Sequence, residues 1–385
     1  MLFRDLVQTS RAVGEASGRR AKTDILAALL KRAGPEEVET AIAFLSGGPR
    51  QGRIGVGYAM LARARAAGHA GVASLELMEV DAALERLAGT AGRRSAEAKR
   101  TLLSELLARA STDEQDFLFR LLIGEVRQGA LEGLVTDAVA RASALDADAV
   151  RRAAMLAGDL GAVARAALTE GAGGLGRFRV QVFRPLQPML AQAADDVADA
   201  LGRLGEAAFE YKLDGARIQV HKSGPDVRVY SRLLNDVTVA VPEVVEIVRN
   251  LPTRELILDG EAITLTRDGR PGPFQVTMRR FGRKLDVERL RTELPLACFF
   301  FDLLYRDGAA LLDEPYSSRH AALAEAVPAE NRVPRIVTGD LTEAAKFFDG
   351  ALAAGHEGLV AKALAARYEA GARGAAWLKV KPAHT

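Results

Sequence analysis

In the stretch Glu210-Tyr-Lys212-Leu-Asp214-Gly215-Ala-Arg217, a lysine stands between two acids and an arginine, where a strand-like run gives way to a glycine turn. Residues two apart on a strand share a face, so Glu210 and Lys212 project the same way. A lysine so placed is a candidate nucleophile towards phosphorus. A free ammonium, with a pKa of about 10.4, is almost wholly protonated at neutral pH. Neighbouring cations, either lysines or a metal ion, must therefore favour the neutral amine. The far end of the chain supplies them: in Trp377-Leu-Lys379-Val-Lys381, Lys379 and Lys381 alternate onto one strand face while Leu378 and Val380 take the other. Two like charges on one face repel unless a polyanion lies against them, and a triphosphate meets that need.

Two acids stand beside glycine in matching contexts, Glu261 in LDGEAI and Glu357 in HEGLVAK, the latter with Lys362 closing its strand. Such acids suit Mg2+, which takes oxygen ligands and keeps its waters, or a ribose hydroxyl. Phe301, ahead of Asp302 in FFFDLLY, offers a ring on which a purine stacks. Ser231-Arg232 supplies a phosphate or sugar contact. Each has a plainer explanation alone: Phe301 as core, Lys379 and Lys381 as a solvated edge that discourages strand pairing. Their succession within one region carries the chemical reading.

These residues need a sheet framework. From FRVQVF (178–183) onward, alternating and β-branched runs dominate, with helical spacing near 192–204, 242–250, 317–326 and 341–354. ARIQVHK-SGPD-VRVYS has the form of a β-hairpin. The second half therefore reads as α+β with mainly antiparallel sheets. Residues 1 to about 170 instead show helical spacing throughout and read as all-α. Thr23-Asp24 opens one helix that Gly34 closes, Pro35 starts the next, and Ser111 with Glu114 forms a capping box ahead of Phe117, Leu118, Leu121 and Leu122. Two loops, SGGPRQGRIGVG (46–57) and GEVRQGALEG (124–133), set arginine beside glycine near helix ends and together lean towards a surface that grips a phosphate backbone. EGAGGLG (170–176) reads as a linker, not a dinucleotide fingerprint, because no strand precedes it. The expected division is 1–170, a linker at 171–177, and 178–385.

Composition narrows the class. With 385 residues, 49% apolar and 26% charged, the chain has the make-up of a multidomain globular protein. One cysteine, Cys298, excludes a disulfide framework and reads as a buried thiol; five histidines and one cysteine supply no zinc site at a recognised spacing. A net charge of +2 is compatible with a polyanionic partner without identifying one. No apolar run approaches the ~20 residues of a membrane span. MLFRDLVQTSRAV has early charges and lacks the apolar core of a secretory signal, which makes the cytoplasm the expected location.

At the positions above the sequence resembles the covalent nucleotidyltransferase superfamily, and within it the ATP-dependent DNA ligases of bacterial or archaeal type. KLDGAR (212–217) resembles motif I, SR (231–232) motif Ia, DGE (259–261) with FFFDLLY motifs III and IIIa, EGLVAK motif IV and WLKVK motif V. RPLQPMLA (184–191) is similar to the approach to the family's adenylation domain. The resemblance spans nearly the whole chain. It implies an all-α N-terminal DNA-binding domain followed by an α+β adenylation (nucleotidyltransferase, ATP-grasp-like) domain with antiparallel sheets.

It also implies roles. Lys212 carries the adenylate, and Glu210 recognises the adenine amino group. Arg217 and Arg232 contact ribose and phosphate, and Glu261 serves ribose or metal. Phe301 stacks on adenine, Glu357 lies near the metal, and Arg373, Lys379 and Lys381 face the phosphates. ATP and Mg2+ are the implied cofactors and nicked double-stranded DNA the partner of a monomer serving repair, replication or recombination. Lysine takes AMP from ATP, AMP passes to the 5′-phosphate of a nick, and the 3′-hydroxyl displaces it.

The family pattern continues into an OB-fold domain with a further basic motif, whereas this chain ends four residues after Lys381, so full sealing is expected to need that domain. Rival readings are an RNA ligase or capping-type nucleotidyltransferase, and a DNA-clamping protein with a vestigial nucleotide site. The helical half argues against the first, and the complete set of reactive residues against the second. An NAD+-dependent ligase is disfavoured because no nicotinamide-recognising module is recognisable.

Overall fold

Ser111 and Glu114 close a reciprocal capping box on the helix Thr112–Ile123, as the sequence predicts, and that helix buries Phe117, Leu118 and Leu121. The structure is a computed structural model that describes every residue except 53, 67, 93–94, 127–130, 267–268, 282–286 and 383–385, and the side chain of residue 131. The chain divides into two units, Met1–Arg179 and Val180–Thr385.

In the first unit the described elements are helices, from Phe3–Glu15 to Leu160–Leu175. Their apolar faces share one core, in which Phe3 packs edge-on against Phe44 and Phe117 at centroid distances of 6.2 and 5.7 Å. Two helix starts differ from expectation. Thr23 lies inside the helix Arg19–Leu30, where its buried hydroxyl donates to the Arg19 carbonyl at 2.9 Å, and Gly18 occupies the cap. Pro35 belongs to a turn in which the Glu37 N–H donates to the Gly34 carbonyl at 2.9 Å, and the helix begins only at Val38–Leu45.

The Gly-rich stretch 170–176, expected as a linker, is largely helical. It ends the helix Leu160–Leu175, which kinks at Gly171 (φ 63°, ψ −144°), a conformation that glycine tolerates. The kink turns Gly174 back so tightly that a Cβ there would stand 2.6 Å from the Ala166 carbonyl oxygen. In the first arginine-glycine loop, Arg50 donates to the buried carboxylate of Asp81 at 2.9 Å and is thereby committed. Arg53, and Arg127 to Ala130 of the second loop, lie outside the described residues.

The second unit holds ten strands among its described residues: β1 Gln192–Ala194, β2 Ala207–Lys212, β3 Ala216–Ser223, β4 Asp226–Ser231, β5 Glu255–Thr264, β6 Leu296–Arg306, β7 Ala309–Ala310, β8 Arg335–Thr338, β9 Gly358–Ala363 and β10 Trp377–Val380. One sheet has the order β1-β10-β9-β2-β8, the other β4-β3-β5-β6-β7. All pairs are antiparallel except β1 with β10. The α+β expectation is met, and β3 and β4 form the foreseen hairpin. The helices Val197–Leu204 and Leu341–Ala353 cover the first sheet, burying Phe209, Leu359, Leu378 and Val380 beneath them. The helices Pro242–Arg249 and Tyr316–Ala326 cover the second.

Three readings are corrected here. Residues 178–183 form no strand: Phe183 has φ 69°, and its N–H donates to His221 Nδ1 at 2.8 Å rather than to a ladder. Residues 192–204 open as β1 and become helical only after Asp196, whose carboxylate caps the Asp199 N–H at 2.8 Å. The helices Phe274–Phe281 and Val287–Glu293 lie in a stretch to which the sequence assigns no element.

Candidate active site

Ladder register assembles the site. In the second sheet Arg217 on β3 pairs directly with Glu261 on β5. In the first, Lys212 at the end of β2 stands opposite Gly358 on β9, and the Glu357 N–H donates to the Lys212 carbonyl at 3.0 Å. A cavity of about 1220 Å³ within the second unit is lined by Glu210, Lys212, Arg217, Ser231, Arg232, Glu261, Phe301, Arg373, Lys379 and Lys381. Glu210 and Lys212 share its wall, as strand alternation predicts. So do Lys379 and Lys381, while Leu378 and Val380 are buried in the opposite core. Glu357 does not itself line the cavity but contacts Lys212 and Lys381, which do.

Lys212 Nζ donates to Glu357 Oε2, and Lys381 Nζ lies 3.0 Å from the same oxygen. One carboxylate thus bridges two ammoniums. Burial works to raise the Glu357 pKa, but hydrogen bonds and charge from the two lysines win and hold it below its ordinary value. Asp214 is pushed the other way, first by burial and then by the charge and hydrogen bond of Glu357, with Lys212 and Lys381 pulling it partly back. Glu261 is half-buried and lines the cavity. Burial pushes its carboxyl up to about 8, against the opposing pull of Arg217, Lys212 and the Gly215 N–H.

Arg217 has a more structural place than the sequence implies. Its Nε and Nη2 donate to the two oxygens of buried Asp259 at 3.0 and 2.6 Å, and Nη1 donates to the Met189 carbonyl at 2.6 Å. Burial disfavours its charge, but Asp259, Tyr368 and Glu261 more than restore it, so its pKa is raised. Tyr368 donates to Asp259 Oδ2 at 2.6 Å and accepts from the Met189 N–H at 3.1 Å. Little of the guanidinium remains for a ligand.

Several site residues went unassigned in the sequence. Lys362 is 1% exposed, 2.6 Å from Glu210 Oε2, with its ammonium over the rings of Phe301, Trp377 and Tyr316 at 4.5, 4.3 and 5.1 Å. Asp259 and Trp377 stood inside the DGE and WLKVK motifs without roles of their own; Tyr316 and Tyr368 carried no signal, because their partners are remote in sequence. The floor of the cavity is thus aromatic with one buried cation, and its rim carries the exposed Arg232, Arg373 and Lys381. Such a site can seat a planar base below and a polyanion above. Cys298 is buried as expected, its thiol pushed up to about 12 by burial.

A family model described as an ATP dependent DNA ligase domain matches residues 188–381, and another, described as DNA ligase N terminus, matches residues 65–140. A probable DNA ligase of Anaeromyxobacter sp. (strain Fw109-5) is 58% identical over 386 residues, covering 100% of this chain and 74% of the relative. One of Mycobacterium marinum is 50% identical over 392 residues, covering 100% of this chain and 76% of the relative. A solved structure named Pmar-Lig_PreS3 aligns with a TM-score of 0.58 at 17% identity over 99% of this chain and 78% of its own, a likeness of fold.

Proposed function

Because the chain belongs to the ATP-dependent DNA ligase family, we propose that Lys212 is the nucleophile that takes AMP from ATP and passes it to the 5′-phosphate of a nick in double-stranded DNA. The observation that carries this reading is the contact of Lys212 and Lys381 with one carboxylate at the wall of a cavity that offers further cations and an aromatic floor. Lys212 Nζ attacks the α-phosphorus. The N–P bond forms, the bond to the bridging oxygen breaks, and pyrophosphate leaves with the electron pair. The proton on Lys212 leaves to solvent ahead of the attack, and Glu357, in contact with the same nitrogen, orients the amine. Lys379, Lys381, Arg232 and Arg373 hold the phosphates, and Phe301 with Glu210 holds the adenine. The nick's 3′-hydroxyl then displaces AMP from the adenylated end.

Magnesium is the proposed cation. Among the described residues no three His, Cys, Asp or Glu side chains converge on one point. The oxygen donors fit an ion held by one or two carboxylates together with waters and substrate phosphates. Glu261 and Glu357 would supply them; burial raises the Glu261 carboxyl to about 8, and a bound cation would draw it back to the carboxylate. When bound, the ion neutralises charge on the phosphates and lowers the proton affinity of Lys212. The same reading has a monomer acting in the cytoplasm; no described helix is long and apolar enough to cross a membrane.

The test is intact mass before and after incubation with ATP and Mg2+, with pyrophosphate added to reverse the reaction. Addition of one adenylate that maps to Lys212 and is lost with pyrophosphate is expected. Lys212→Ala should show none while holding nicked DNA as tightly as the unaltered chain. An adenylate on another residue, or loss of DNA binding in that variant, would refute the assignment. Gel separation of a nicked duplex reports the later steps.

A further inference from the structure

Glu210 and Arg335 are direct cross-strand partners on β2 and β8, yet no salt bridge joins them. The hydroxyl of Tyr316, first residue of the helix Tyr316–Ala326, lies between: it donates to Glu210 Oε1 and accepts from Arg335 Nε at 3.0 Å. The other oxygen, Oε2, faces the Lys362 ammonium at 2.6 Å. Tyr316 is fully buried and Glu210 3% exposed, and only Glu210 and Lys362 of the four reach the cavity. A carboxylate gripped on both oxygens cannot swivel, and what it offers the cavity is an acceptor and never a donor.

We infer that Tyr316, backed by Arg335, is a positioning residue for nucleobase selection, holding Glu210 as a fixed acceptor that admits a purine bearing an exocyclic amine and rejects one bearing a carbonyl there. This rests on the reading of the cavity as an ATP site. An amine donates to Glu210. A carbonyl oxygen would meet the carboxylate lone pairs, with the neighbouring Lys362 ammonium drawn to Glu210 Oε2 rather than to it, and a mismatch of this kind is how polar sites reject close analogues. Without the Tyr316 hydroxyl, Glu210 is held at Oε2 alone. The carboxylate can then turn away, and Lys362 becomes available to donate to a carbonyl.

ITP, which replaces the amine of ATP by a carbonyl, is the probe. The rates of covalent labelling of the full chain with ATP and with ITP are compared in the unaltered protein, Tyr316→Phe and Arg335→Gln. AMP and IMP binding is measured by calorimetry alongside, and thermal melting confirms folding. Tyr316→Phe should lower the ATP-to-ITP preference about tenfold, the worth of one buried hydrogen bond. Arg335→Gln should lower it less, in the same direction. A folded Tyr316→Phe with an unchanged preference overturns the inference. If the unaltered chain labels with neither nucleotide, the adenylation reading fails instead, and the AMP-to-IMP binding ratio still decides the role of Tyr316.

Discussion

Lys212 is held by neighbours that have no freedom of their own. Gly358, opposite it in the ladder, has φ 140°, and a Cβ there would collide with the Val380 carbonyl oxygen of β10. Gly358→Ala should therefore displace β10 and carry Lys379 and Lys381 out of line. The expected result is a loss of adenylate formation larger than any loss of AMP affinity, read by comparing labelling rate with AMP binding. Arg217 sets a different test. Its partner Asp259 is 1% exposed, so Arg217→Met leaves a buried carboxylate without its bidentate donor. Such a loss costs about 3 kcal/mol. Urea unfolding should show it in the midpoint, and a midpoint shift below about 1 kcal/mol would mean that the pair is better solvated than its geometry implies.

The segment leading into β1 is positioned by side chains where a ladder was expected. The Phe183 N–H donates to His221 Nδ1 at 2.8 Å, so the neutral ring carries its proton on Nε2, which lies 2.9 Å from Gln219 Oε1. Gln219 in turn accepts from the Leu186 N–H at 2.8 Å and donates to the Leu186 carbonyl at 3.0 Å. Burial lowers the His221 pKa from 6.5 to about 3. Its folded-state pKa is depressed, so the unfolded chain binds the extra proton between these values. The contribution of the buried neutral ring is complete above pH 6.5 and is lost as the pH falls towards 3, at about 1.4 kcal/mol per pH unit. His221→Gln should flatten that part of the stability profile, and an unchanged slope would exclude His221 as its source. In the first unit, Ser111→Ala removes one half of the capping box on Thr112–Ile123 and should cost about 1 kcal/mol, seen as a lower melting temperature.

Across the whole chain, two units each carry a core of their own, one helical and one built on two sheets. Expressed separately, residues 180–385 should melt cooperatively and form the Lys212 adenylate, whereas residues 1–179 should bind DNA with an affinity that falls steeply with salt. A fragment 180–385 that melts without a transition would show that the second unit's cores do not stand alone. The sequence by itself determined the division into a helical half and a strand-bearing half, though not where the first strand begins, together with the alternation that puts Lys379 and Lys381 on one face and the motif order running from Lys212 to Lys381. All of these are local, because side-chain direction within a strand or helix follows from spacing alone. Tertiary structure decided the rest. The sharing of Glu357 between Lys212 and Lys381, the withdrawal of Arg217 into Asp259, and the grip of Tyr316 and Lys362 on Glu210 join residues from 24 to 152 positions apart. Spacing carries no information about which buried polar group finds which partner. That depends on ladder register, and on the cost of leaving any of those groups unpaired away from water.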